Sequence, residues 1–231
     1  MFINSRRMIA KARPDPRLLL DPSELGFTEA ARSFYLRNTV TVARDLIGAF
    51  LARRWRGDWY GARIVETEAY LGVGDAAAHS FGGRRTTRVE PMYAEGGHLY
   101  VFFVYGMHSC ANVVTARAGR PEAVLLRAAE GPPGDPRLLS GPGKLCAALG
   151  LTVGDSGRDL VGGGDLALFV KPGRRPRRIG ISPRIGVDYA GEASRWPLRF
   201  FDLDSPSVSR RSFGNEVTKR RRPDLHPARD R

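Results

Sequence analysis

Residues 63–83 read RIVETEAYLGVGDAAAHSFGG, residues 84–88 RRTTR and residues 96–112 GGHLYVFFVYGMHSCAN. Nearly every residue type able to carry chemistry in this chain falls between Arg63 and Asn112. Ile64 to Tyr70 has strand character. Strand alternation predicts Ile64, Glu66, Glu68 and Tyr70 on one face and Val65, Thr67 and Ala69 on the other. Two carboxylates and a phenol then look the same way. Glutamate is a poor strand former, and burying it beside apolar neighbours is costly unless a charged or hydrogen-bonding group meets it. That cost marks the face as a site candidate.

The second half of the stretch supplies an opposing wall. Gly96 and Gly97 mark a turn, and Leu99 to Tyr105 reads as an aromatic strand. Tyr105-Gly106-Met107-His108 reads as a hairpin tip leading into a return strand through Asn112 to Thr115. Aromatic rings at a strand end beside carboxylates suit a pocket for a flat ligand. Taken alone, Tyr100, Phe102 and Phe103 are more simply read as core.

The residues themselves carry a resemblance. Val65-Glu66-Thr67-Glu68-Ala69-Tyr70-Leu71-Gly72, Ala78-His79-Ser80, Gly82-Gly83-Arg84, Leu99-Tyr100-Val101 and Tyr105-Gly106-Met107 follow one another in the order seen in the alkyladenine (3-methyladenine) DNA glycosylases. Val124-Leu125-Leu126-Arg127-Ala128, Ser140-Gly141-Pro142-Gly143-Lys144-Leu145-Cys146 and Pro197-Leu198-Arg199-Phe200 continue it downstream. The chain resembles that family from about Phe34 to Ser209.

The resemblance implies a single compact α+β domain, like the formyltransferase C-terminal domain. A curved, mainly antiparallel sheet would be flanked by helices and carry a protruding DNA-inserting β-hairpin. It implies a monofunctional glycosylase of base excision repair that flips alkylated or deaminated purines out of double-stranded DNA. An oxocarbenium-like transition state calls for one carboxylate to deprotonate a water and stabilise the sugar's developing charge. By resemblance that carboxylate is Glu68, with Arg127 holding the water and Glu66 structural; periodicity alone does not choose between Glu66 and Glu68. Tyr70, His79 and Phe102 match positions that sandwich the flipped base, Asn112 one that crowds a guanine 2-amino group, and Tyr105 the wedge that enters the duplex. Many relatives have tyrosine in place of Phe102, and Thr86-Thr87-Arg88-Val89-Glu90-Pro91 departs from the usual T-P-R-N turn. No lysine lies between Arg63 and Asn112, so an intact abasic site is the expected product.

Composition points the same way. The 231 residues make one domain the default, and 42% hydrophobic content is enough for a core. Lys and Arg number 37 against 24 Asp and Glu, giving +13, a surface for polyanions. No apolar run nears the roughly 20 residues that span a bilayer, and the start lacks a signal-peptide core. The expectation is a cytoplasmic monomer, nucleoid-associated if bacterial. Cys110 and Cys146 read as small buried hydrophobes, and the four histidines show no metal-ligand spacing. No metal and no cofactor are expected.

Along the chain, residues 1–27 read as an extension that is mobile or loosely docked, 28–208 as the domain, and 209–231 as a basic, disordered tail, its polar character beginning at Ser205. Helical character is expected from Thr28, with Val40, Val42, Ala43, Leu46, Ile47 and Phe50 at helix spacing and Thr39 or Thr41 as cap. Ala52 to Asp58 reads as a basic strand or turn. Ala123 to Ala129 reads as a buried strand whose Arg127 either snorkels or reaches a carboxylate. Gly141 to Leu149 begins a helix whose amides, with Lys144, suit a phosphate, and Lys171 to Arg178 is a basic loop. Two other classes compete. A non-catalytic DNA-damage binder would not need Glu68 and Arg127 together. A sugar hydrolase would use Glu66 and Glu68, about 6–7 Å apart, but has no use for +13.

Overall fold

Among the described residues of the first third, Asn38 opens the longest helix, and its side chain rather than that of a threonine is the cap. In the computed structural model, which describes residues 12–104, 106–171 and 178–209, Asn38 Oδ1 accepts from Val40 N at 3.1 Å and Thr41 N at 3.2 Å. Thr39 is instead buried, its hydroxyl 2.8 Å from that of Thr115. The helix it opens, α2 (Thr39–Asp45), follows a single turn, α1 (Arg32–Tyr35), and the short strand β1 (Thr28–Glu29). Helix therefore starts later than expected, and Phe50 opens a strand. From Phe50 onward come strands β2 (Phe50–Trp55), β3 (Asp58–Tyr70), β4 (Leu99–Val104), β5 (His108–Thr115) and β6 (Glu122–Ala129), all but β2 carrying β-branched residues, which favour strands. After α3 (Pro142–Ala148) come β7 (Leu166–Val170), β8 (Ile179–Ser182) and β9 (Arg199–Asp202). Ile185 to Val187 is loop.

Every strand pairing among the described residues is antiparallel. The order is β1-β7-β2-β3-β6-β5-β4, with β9 joining β3 to β8. Arg56 and Gly57, with φ of 54° and 99°, make the two-residue turn between β2 and β3. That left-handed pair suits the twist of a tight hairpin. The chain is one compact α+β domain with a mainly antiparallel sheet and few helices. Its main core lies where Val42, Ala43, Leu46 and Ile47 from the α2 region and Leu145 from α3 meet Ile64, Leu99, Val113 and Leu126 of the sheet. Burying each large side chain contributes roughly 1.5–3 kcal/mol.

The 13-residue β3 holds the centre. Its first half pairs with β2, and its second half lies between β6 and β9. Glu66, Thr67 and Glu68 thus have strands on both sides and are all fully buried.

Both ends of the described chain are fastened. Asp15 and Asp21 cap short 3-10 turns by accepting from Arg17 N at 2.9 Å and Ser23 N at 2.8 Å. Leu18 enters the main core, and Phe27 meets Phe50 edge-to-face at 4.9 Å. At the other end Ser205, Ser207 and Val208 are buried. Among the described residues, the polar stretch that begins at Ser205 is packed through Ser209. Its serines satisfy buried groups instead of facing water: Ser207 Oγ accepts from Gly131 N at 3.1 Å. Residues 1–11, 172–177 and 210–231 lie outside the described residues, and with them most of the Lys171 to Arg178 loop and nearly all of the tail expected over 209–231.

Candidate active site

Strand β3 aims its carboxylates by breaking its own alternation. Between the pairs Ile64–Ala129 and Glu66–Ala128, β3 advances two residues while β6 advances one; between Glu66–Ala128 and Thr67–Leu126, β6 advances two. Val65 and Arg127 are the extra residues of two facing bulges. The expected grouping of Ile64 with Glu66, Glu68 and Tyr70 therefore fails. Ile64 turns into the main core with Ala69, and Val65 packs against Ala128 and Val208.

Glu68 is held by three groups. Its Oε1 accepts from Ile185 N at 2.9 Å, its Oε2 accepts from the Tyr70 hydroxyl at 2.9 Å, and Arg127 Nη1 lies 3.5 Å from Oε1. Burial raises the Glu68 pKa above its ordinary 4.5, and Arg127, the Ile185 amide and the Tyr70 hydroxyl oppose that rise. Burial and the Glu68 charge in turn push the Tyr70 phenol well above its ordinary range. Glu66 is bound differently. Its Oε1 accepts from Arg199 Nε at 2.6 Å and its Oε2 from Ser209 N at 2.7 Å. It lies in the framework that carries Arg127, whose Nε is 3.1 Å from Glu66 Oε1.

Tyr70, His79, Phe102, Asn112 and Arg127 all line one cavity of about 470 Å³, within the range of ligand sites. Glu68 does not line it. Its fully buried carboxylate sits behind the wall, touched by three wall residues, Tyr70, Arg127 and Ile185. His79 Nδ1 is 2.8 Å from the Tyr100 hydroxyl, and its ring meets Phe102 at 4.4 Å and 75°. Burial, with Arg88 and Arg84 nearby, lowers the His79 pKa and so favours the neutral imidazole. Asn112 Nδ2 donates to Tyr100 O at 3.1 Å. Cys110 is also in the wall, its thiol pushed up to about 11 by burial. Tyr105 lies outside the described residues, while Phe103 and Met107 beside it are exposed. Two wider depressions, about 720 Å³ beside Arg13 and Lys144 and about 870 Å³ beside Arg85 and Glu90, hold no comparable convergence of rings and buried charge.

Sequence reading missed Arg184, Ile185 and Ser209. Arg184 is fully buried in its ion pair with Asp75, Nη2 to Oδ1 at 2.8 Å, and also donates to Ala69 O at 3.0 Å and Ala193 O at 3.1 Å. Its guanidinium lies 4.7 Å from the Tyr70 ring centroid. Asp75 in turn accepts from Leu71 N and Ala77 N, each at 3.0 Å. Arg184 thus ties the loop carrying the Ile185 amide to the end of β3. No side-chain pattern announces an amide donor, because every non-proline residue has one.

Among the described residues no three potential metal ligands cluster, and no helix is long and apolar enough to cross a membrane. The sequence model of the methylpurine-DNA glycosylase (MPG) family matches residues 33–206. Three similar proteins each bear the name "Putative 3-methyladenine DNA glycosylase". That of Methanocella arvoryzae is 43% identical over 197 residues, covering 80% of this chain and 97% of its own. That of Desulfitobacterium hafniense is 45% identical over 199 residues, covering 77% and 97%, and that of Bdellovibrio bacteriovorus is 43% identical over 188 residues, covering 78% and 98%. Similarity of that extent, spanning β3, the cavity walls and β9, leaves one conclusion: the chain belongs to the methylpurine-DNA glycosylase family.

Proposed function

We propose that this DNA glycosylase flips alkylated or deaminated purines out of duplex DNA into the 470 Å³ cavity and hydrolyses the N-glycosidic bond with a water activated by Glu68. The observation that carries the reading is Glu68 itself, a buried carboxylate poised directly behind an aromatic-walled cavity with Arg127 beside it. The water sits where Tyr70, Arg127 and Ile185 meet. As the bond to the base lengthens, the sugar gains positive charge that the carboxylate stabilises. The water oxygen bonds to C1′, its proton passes to Glu68, and the base leaves with the bonding electrons. An abasic site remains.

The remaining wall residues discriminate. Tyr70, His79 and Phe102 stack on the base, and a cationic alkylpurine gains roughly 0.5–2 kcal/mol from such faces. Asn112, fixed by the Tyr100 carbonyl, crowds a 2-amino group and disfavours guanine. The β4–β5 hairpin carries Tyr105, which fills the gap left by the flipped nucleotide, on a curved sheet of the formyltransferase C-terminal kind. Monomeric enzyme suffices for one lesion.

Single-turnover excision with enzyme in excess isolates the chemical step. Glu68→Gln keeps the shape but cannot take a proton, so it loses orders of magnitude in base release and still binds lesion DNA. Glu66→Gln retains most of its rate per folded molecule. Near wild-type excision by Glu68→Gln overturns the mechanism, and a dead Glu66→Gln beside an active Glu68→Gln exchanges their roles.

A further inference from the structure

Ser209 lies three residues beyond the family match, which ends at residue 206, yet it reaches the buried charge cluster. Its hydroxyl accepts from Arg127 Nε at 3.2 Å and donates to Glu66 Oε1 at 3.1 Å. Its amide donates to Glu66 Oε2 at 2.7 Å. A hydroxyl has one proton and two lone pairs, so it bridges a guanidinium and a carboxylate without leaving either unmet. Among the described residues, Ser209 Oγ is the acceptor of the side-chain hydrogen bond that Arg127 makes; its contacts with Glu66 and Glu68 are ion pairs at 3.1 and 3.5 Å.

We infer that Ser209 is a positioning residue for the reaction, a latch at the end of the described chain that fixes the rotation of Arg127 and so the side of the guanidinium facing Glu68. The inference rests on the proposed roles of Glu68 and Arg127. Arg127 is the extra residue of its bulge, so strand pairing alone fixes its direction less firmly than that of its neighbours. An ion pair is tolerant of angle, whereas a hydrogen bond is not. With Nε held by the hydroxyl, Nη1 is the nitrogen presented to Glu68 Oε1. Removing the hydroxyl leaves Arg127 attracted to both Glu66 and Glu68 and free to turn between them.

The groups around Glu68 give a readout that loss of packing does not move. Arg127, the Ile185 amide and the Tyr70 hydroxyl favour its charged form, while burial and Glu66 oppose it. A misaimed Arg127 therefore displaces the acidic limb of the rate profile toward higher pH. In the full-length protein, Ser209→Ala is expected to lower the single-turnover rate per folded molecule roughly tenfold and to displace that limb upward, with duplex affinity unchanged. Ser209→Cys, of similar size but a weak acceptor, behaves like Ser209→Ala and decides the question if the alanine variant does not fold. Ser209→Thr restores the hydroxyl and most of the rate. Wild-type rate and an unmoved limb in Ser209→Ala or Ser209→Cys, while Glu68→Gln is inactive in the same assay, overturn the latch alone. An active Glu68→Gln overturns the reading beneath it.

Discussion

As the proposed general base, Glu68 meets two opposed demands, since a base must be ionised to work and burial favours its neutral form. The carboxylate has no exposure, and its pKa is raised above the ordinary 4.5 with burial as the first cause. A group whose pKa is higher in the folded than in the unfolded state adds stability below its unfolded pKa and loses that contribution as pH climbs through the folded value. Glu68→Gln mimics the neutral form at every pH. It should therefore gain stability relative to wild type as pH rises from about 4.5 toward neutrality, read as a widening gap between urea midpoints. Over the same window the wild-type excision rate should rise, with its limb above the ordinary glutamate range. A gap that stays constant with pH, or a limb at or below 4.5, contradicts this account of the residue. The pairing of Glu66 and Glu68 with Tyr70 was legible because two carboxylates in an apolar strand demand partners. Which partners they found was not: Arg127 was one of two open readings, and Arg199 and Ser209 arrive from over a hundred residues away.

At the scale of elements, alternation located β3, β4, β5 and β6 but not the paired bulges that reset β3 at Val65. Valine fits either face of a strand, so no side chain flagged the shift and Ile64 was assigned the wrong way. Helix α2 was legible from its apolar spacing, yet its cap was misplaced because asparagine and threonine compete for the same role. The element least visible in sequence is the loop after β8, anchored by Arg184 to Asp75 with both side chains fully buried. Such a pair adds little net stability over an apolar replacement, but removing one partner strands the other charge at a cost of about 3–5 kcal/mol. Asp75→Asn should cost that much in urea denaturation. It should also slow excision, because the loop that presents the Ile185 amide to Glu68 loses its anchor. Glu90→Gln, which breaks the exposed Arg85–Glu90 pair, should leave the urea midpoint nearly unchanged, because solvent screens such a pair. If Asp75→Asn matched Glu90→Gln, the loop would be held by its packing and the ion pair would be incidental.

The whole molecule explains why a chain with 24 acidic residues still presents itself to DNA as a cation. Several of its carboxylates are spent internally: Glu66 on Arg199 and Arg127, Asp75 on Arg184, Asp155 on Arg53 and Arg158. Arg84 and Arg88, by contrast, are exposed, and Arg88 lines the cavity. The net +13 was legible from composition; its division into internal ion clusters and exposed cations required the fold. Exposed cations near a duplex displace condensed counterions, and the release makes log K fall linearly with log salt at about −0.9 per phosphate contacted. Glu68→Gln permits the measurement on lesion DNA without excision. Its affinity for a short duplex should fall steeply between about 50 and 200 mM salt, with a slope of several units, and the slope should be similar with and without the lesion. If, as proposed, the flipped base enters the cavity, the lesion's own contribution comes from rings and hydrogen bonds that salt screens far less, so it should raise affinity at every salt concentration by a similar factor. A flat salt response would remove duplex DNA as the partner. A lesion advantage that vanished as salt rose would place recognition on the exposed arginines instead of inside the cavity.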